Sequence, residues 1–364
     1  MKLQLIARRL RAAGLHTVFL GHGIAHEMAA QSSDAFDEVL HAQPGDPHVA
    51  PQIASAAGLF SMMDREFAAL ALAQGKPVYV ADSLRWMRDE LPAPFAAAQR
   101  YWVQNFLPSV SSAKVTANTV SVGPIVEPRT PTPPERRHAL VINLGGCETP
   151  AGPQMENFSY AAFILRGVLQ SGALERFQGN VTLLAGSNAI VHLRAAFPRC
   201  GVTLRTAPHP EALDLFAAAT TVFTAPGLTT ALECFQFGMP TYFLPPQNYS
   251  QWRILRHLEE SGLAAGSFTW SQVMNHFPAL DTIPEPDRTP LLRQAIAEVS
   301  TAPHARDMFA ASLQQRLATD GTTLAARQHA FFQSLGPNGA ETIAGELIGL
   351  FGGERAGKAG PASA

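Results

Sequence analysis

Thr220 to Gln251 reads TTVFTAPGLTTALECFQFGMPTYFLPPQNYSQ, and this stretch decides the fold. TTVFTA is a short β-branched and aromatic run, APG breaks it, and TTALECFQF has helical spacing until Gly238 and Pro240 stop it. TYFLP is then a second strand and PPQNYSQ a polar loop, which makes half of a parallel α/β unit. At about 100° per residue the helix separates Leu228, Leu232 and Phe235 from Thr229, Glu233 and Gln236. The apolar side is expected on a sheet. The polar side is expected beside the helix N-terminus, where free backbone N–H groups and the positive end of the dipole favour a phosphate. Gly227 admits a ligand to the backbone, Thr229 and Thr230 offer hydroxyls, and Glu233 stands one turn deeper, within reach of a sugar diol. An ordinary capped helix and a solvated glutamate are the plain alternatives.

The glycine turn, the helix carrying Glu233, the Gly-Met-Pro stop, the strand and the Gln/Asn-rich loop follow in close succession. That string resembles the donor-binding segment of GT-B glycosyltransferases, the group containing the UDP-dependent glycosyltransferases and the bacterial N-acetylglucosaminyltransferase of peptidoglycan synthesis. The resemblance covers about Ala139 to Gly262 and is weaker before it. It implies an α/β fold of two Rossmann-like doubly wound domains facing a cleft, the second holding a nucleotide sugar.

Composition agrees with such a chain. The 364 residues, 46% of them hydrophobic, suffice for two cores. A formal charge of −2 gives no basic field to recruit nucleic acid or anionic lipid. Cys147, Cys200 and Cys234 lack CxxC spacing, which fits a reducing cytoplasm and buried small side chains rather than a disulfide framework or a cysteine zinc site. KLQLIARRLRAAG is amphipathic with four basic residues, without the apolar core of a signal peptide, and no run is long enough for a membrane span.

In chain order, KLQLIARRLRAAG reads as a helix ended by Gly14, and HTVFLG as the strand after it. The pattern therefore opens midway: a doubly wound domain starts with a strand and a glycine-rich loop, and both are expected to be lacking from the first domain here. HGIAHE and the stretch around Pro44 to Pro47 read as loop, GLFSMM as a strand, REFAALALAQG as a helix, and PVYVAD, RYWVQNF and TVSVGPI as further strands. Gly123 to His138 holds five prolines and marks the boundary, as a semi-rigid linker. The expected division is a first domain over 1–127, a linker over 128–138 and a nucleotide-sugar domain over 139–288. Helices over 289–351 return to the first domain, as the resemblance implies, and a disordered Gly/Ala-rich tail spans 352–364.

Further candidate donor contacts lie at strand ends. LGG contributes Gly145 and Gly146, for which a plain tight turn is the alternative, and AGSN contributes Ser187 and Asn188 on the same rim. By resemblance, the RTAPHP loop holds the base through main-chain contacts at Ala207, Leu228 lies in the phosphate turn, and Ser250 and Gln251 occupy positions that contact donor hydroxyls in relatives. Ser250 stands where some relatives carry Asp, which leaves the sugar unspecified. His209, before Pro210, reads as a turn residue.

Inverting transfer needs a base for the acceptor proton and stabilisation of the leaving diphosphate. His22, Asp64 and Asp82 each follow a predicted strand and are the base candidates, each with a structural role as its alternative. No cofactor or metal is expected: His22 and His26 have helical spacing but no HExxH pattern, and GxSxG and Walker A motifs are absent. The expected function is a cytoplasmic inverting glycosyltransferase that uses a UDP-sugar and a small-molecule acceptor. VYVADSLRWM, RYWVQNF and PPQNYSQ resemble the cytosylglucuronate synthase-related proteins of nucleoside antibiotic pathways, which implies UDP-glucuronate and cytosine. A UDP-sugar 2-epimerase and a catalytically inactive sugar-nucleotide-binding homologue remain as alternatives.

Overall fold

Short strands, most of them apolar, alternate with helices along much of the chain, and among the described residues every strand pair formed is parallel. That is the outcome expected when both faces of a sheet are covered by crossover helices. The structure is a computed structural model that describes residues 1–88, 90–106, 116–129, 138–145, 155–274, 277 and 279–356. It divides into two units, Met1–Pro128 with Ser334–Ala364, and Arg129–Gln333.

The first unit runs α1 (Lys2–Ala12), β1 (Val18–Gly21), α2 (Gly23–Ala30), β2 (Glu38–His41), α3 (Val49–Ser55), β3 (Leu59–Met62), α4 (Arg65–Ala73), β4 (Val78–Asp82), α5 (Ala93–Ala96), β5 (Arg100–Gln104) and β6 (Thr119–Val122). Strands β3-β4-β5-β6 form one sheet in that order, and β1-β2 a separate pair. All five residues of β4 are buried. One face of the larger sheet packs Tyr79, Ala81 and Trp102 against Leu5 and Ile6 of α1; the other packs Val78, Val80 and Tyr101 against Phe67, Ala68 and Ala71 of α4. HGIAHE, expected as loop, is the start of α2, whereas the stretch Pro44 to Pro47, also read as loop, is a turn-rich connection between β2 and α3.

The second unit runs β7 (Leu140–Asn143), α6 (Met155–Gln170), α7 (Ala173–Arg176), β8 (Val181–Leu184), α8 (Ser187–Ala196), β9 (Thr203–Arg205), α9 (His209–Ala218), β10 (Thr221–Thr224), α10 (Leu228–Phe237), β11 (Thr241–Phe243), α11 (Tyr249–Glu260), α12 (Glu285–Ser300), α13 (Pro303–Ala318) and α14 (Thr322–Ser334). Its sheet has the order β11-β10-β7-β8-β9. The outer side of β11 is closed by Gln328 of α14, whose Oε1 accepts from Thr241 N at 3.0 Å while Nε2 donates to Thr241 O at 2.7 Å. A side-chain amide thus satisfies an edge that is otherwise open to pairing.

The tail differs from the expectation of one block returning to the first domain. Helices α12 and α13 stay in the second unit and pack on α6, with Phe163 and Phe309 stacked at 5.2 Å. Only α15 (Gly339–Ala356) packs in the first unit, where Ala340, Ile343, Ala344 and Leu347 join the core over Trp102. It also carries the chain helically to Ala356, past the expected start of a disordered tail at 352, and residues 357–364 lie outside those described.

The approach of α15 is set by two glycines. A Cβ at Gly123 would stand 2.0 Å from the Pro337 carbonyl oxygen, and one at Gly339 would stand 2.4 Å from Gly123 O. Both obstacles are backbone and cannot swing aside. Gly123→Ala is therefore expected to displace the start of α15 and cost about 2–3 kcal/mol, read as a lowered midpoint in urea or thermal unfolding.

Candidate functional site

In the second unit the chain passes from β7 to β8 and β9 on one side, then crosses back to β10 and β11 on the other. The order reverses between β7 and β10, and in open parallel sheets ligands bind outside the carboxyl ends of the strands at that switch point. The turns after β7 and β10 flank it. Asn143 Nδ2 donates to Thr224 Oγ1 at 3.1 Å, Ala225 N to Asn143 O at 2.8 Å, and Gly145 N to Asn143 Oδ1 at 3.2 Å, so the two strand ends are tied together.

Gly145 has φ +68, a left-handed conformation that disfavours a side chain. Gly227 needs no such freedom, since its φ is −87, and a Cβ there would meet only Ala225 O at 4.0 Å. Packing therefore does not require a glycine at 227. Gly227 is the N-cap of α10 with no side-chain cap bond, leaving first-turn N–H groups free for an anion. Thr229 and Thr230 on that turn are half-buried. Leu228 points inward at 5% exposure, so it offers a ligand only its backbone.

The polar face predicted for α10 is not a solvent face. Glu233 is 1% exposed and Gln236 also buried, the latter accepting from Arg129 N at 3.4 Å. The helix is covered on this side by α9, whose first residue His209 places Nε2 2.8 Å from Glu233 Oε1. The solvated-glutamate alternative fails on that burial, and His209, read as a turn residue, is the partner the sequence did not disclose. Its one available signal was its place on the same sheet edge. Gly238, at φ +62, then closes α10.

The remaining strand-end candidates fall on the same edge because all five strands are parallel. Ser187 and Asn188 open α8 and are exposed, and Ala207 is half-buried in the turn after β9. Gly146 lies outside the described residues. After β11, the loop is fixed from below: Tyr160 donates to Pro245 O at 2.8 Å, Trp270 Nε1 to Pro246 O at 2.7 Å, and Gln247 Nε2 to Leu144 O at 2.8 Å. Ser250 Oγ donates to Asn248 Oδ1 at 2.7 Å, and Gln251 Oε1 accepts from Gln247 N at 2.8 Å. Both side chains are thus engaged inside their own loop, and Tyr160, Trp270 and Gln247 are supports that local sequence could not single out.

In the first unit, Asp64 is the N-cap of α4, accepting from Glu66 N at 3.0 Å and Phe67 N at 3.1 Å. Asp82 is fully buried; it accepts from Leu84 N at 2.7 Å and Tyr101 Oη at 2.8 Å, and pairs with Arg88. Burial and the neighbouring Asp82 push the Tyr101 phenol up, so it remains a donor. Asp82 is thus enclosed by its partners, whereas Asp64 is exposed and caps α4 through Oδ1. His22 is exposed at the N-cap of α2 without a cap bond, and the His26 ring meets His41 edge-on at 5.2 Å.

Cys200 and Cys234 are free thiols, and burial pushes Cys234 up; Cys147 lies outside the described residues. Among the described residues, no three His, Cys, Asp or Glu side chains group to hold a metal, and no helix is long and apolar enough to cross a membrane.

No protein-family model matches the sequence, and no curated protein matches it. Among solved structures, MurG from Acinetobacter baumannii is similar over 96% of this chain and 95% of its own, with 12% identity and a TM-score of 0.52. A UDP-glucosyltransferase from Polygonum tinctorium is similar over 92% and 95%, with 14% identity and a TM-score of 0.49. Medicago truncatula UGT71G1 complexed with UDP-glucose is similar over 92% and 94%, with 11% identity and a TM-score of 0.44. The likeness to MurG, which spans both units, carries the fold assignment.

Proposed function

We propose that this chain, which has the GT-B glycosyltransferase fold, transfers a sugar with inversion from a UDP-sugar to a small-molecule acceptor. The observation that carries this is the buried Glu233 carboxylate on the helix leaving switch-point strand β10, behind an uncapped N-terminus entered through Gly227. A carboxylate held there accepts bonds from vicinal ribose hydroxyls, while the helix N-terminus faces the diphosphate. In the reaction, an acceptor atom attacks the anomeric carbon as its bond to the diphosphate breaks. A base takes the acceptor proton, and the helix dipole stabilises the charge that builds on departing UDP.

The sequence resemblance to UDP-dependent transferases supports the uridine base. The glucuronate donor and cytosine acceptor rest on the narrower resemblance and define the first arm of the test. Purified protein is incubated with a panel of UDP-sugars, with and without nucleobase and other small acceptors. UDP release that depends on acceptor is the expected result. An epimeric donor formed without acceptor, or binding without turnover, contradicts transfer and favours the epimerase or the inactive homologue respectively.

Gly227 gives a local test. Gly227→Ala is expected to leave the melting temperature within about 2 °C, since the new methyl meets open space, and to weaken UDP about tenfold by crowding the diphosphate. Isothermal titration calorimetry reads it, and unchanged affinity removes the phosphate from this turn.

A further inference from the structure

His209 and Glu233 are far apart in exposure though in contact. The His209 side chain is 22% exposed and that of Glu233 2%, so water reaches the imidazole and hardly reaches the carboxylate. An ionised carboxylate only accepts hydrogen bonds, so at 2.8 Å the His209 Nε2 carries the proton that joins them. A carboxylate this buried that loses a donor is left with an unsatisfied acceptor and without the contact that fixes its orientation.

We propose that His209 is a positioning residue for the donor ribose: its Nε2–H fixes the Glu233 carboxylate in place, leaving the other acceptor positions to the vicinal hydroxyls. This rests on the proposed function. The carboxylate supplies the ribose contact, and the imidazole holds it where that contact is made. Both the neutral Nε2–H tautomer and the imidazolium donate from Nε2.

Other groups around α10 do not substitute for it. On α9, Glu211 is paired with Arg205 and Asp214 with Arg129. On α14, His329 Nδ1 lies 3.0 Å from Phe235 O, to which it donates. On β11, burial raises the Tyr242 phenol, and on α10 itself burial and the adjacent Glu233 raise the Cys234 thiol.

The test is UDP titration calorimetry at pH 8 on the full chain, as wild type, His209→Ala, His209→Gln and Glu233→Gln. His209→Ala is expected to bind about tenfold more weakly, because the carboxylate loses the donor that fixes it. His209→Gln, whose amide also donates, is expected to recover most of the affinity. A loss in His209→Ala that is not rescued by Gln assigns a merely structural role and overturns the proposal. So does wild-type affinity in His209→Ala while Glu233→Gln is impaired, in which case the ribose site stands without it. If wild type binds no UDP, the ribose site and this proposal fall together.

Discussion

Glu233→Gln is expected to weaken UDP binding about 50-fold while the chain melts within a few degrees of wild type. The two halves of that result follow from the same geometry. Gln keeps the volume and an oxygen that accepts from His209 Nε2, so the 1% exposed position stays filled and partnered. What it loses is the charge and one acceptor oxygen facing the ribose hydroxyls. Hydrogen bonds to a charged group are worth about 1.5–3 kcal/mol, and about 1.4 kcal/mol is tenfold in affinity, which places the loss near 50-fold. Calorimetry and a thermal melt on one sample separate the effects. Unchanged affinity reduces Glu233 to a core ion pair with His209.

Asp82→Ala is expected to act in the opposite way, on stability rather than on nucleotide binding. Asp82 ends β4 with no exposure and gathers Leu84 N, Tyr101 Oη and Arg88 on its two oxygens. Its removal leaves a buried phenol and a part-buried guanidinium without that partner. Losing one member of a buried pair costs about 3–5 kcal/mol; because Arg88 is 29% exposed, the lower end applies. For a chain of this size about 3 kcal/mol lowers the melting temperature by roughly 4 °C. UDP affinity at a temperature where the variant is folded is expected to match wild type. A stable Asp82→Ala that loses turnover instead returns Asp82 to the catalytic base.

The unit from Thr220 to Gln251 was legible because its signals are local. Gly238 and Pro240 stop the helix, and TVFT and TYF are short runs whose burial on both faces shows as unbroken apolarity. The strand EVLH was not legible, because it has a half-polar, four-residue pattern and is defined by pairing with β1 in the register Val18↔Glu38. Helix α2 opens on glycine with no side-chain cap bond, so the sequence carried no start signal and HGIAHE passed for loop.

The same contrast holds at the site. Strand ends and glycines could be placed on one rim from the parallel pattern alone. The burial of Glu233 could not, because its cover comes from His209, 24 residues earlier, and a helical wheel reports only the helix's own faces. The closure of β11 by Gln328 spans 87 residues and leaves no local mark. Nor does local sequence name the partners of Asp64 and Asp82: backbone N–H groups for Asp64, and for Asp82 one backbone N–H together with a phenol and a guanidinium.

The most direct measurement is a crystal structure of the chain with UDP bound. The ribose hydroxyls are predicted on Glu233 beside His209, with the diphosphate against the N-terminal turn of α10 at Gly227 to Thr230. Nucleotide density elsewhere, or at this edge with the ribose away from Glu233, contradicts the assignment.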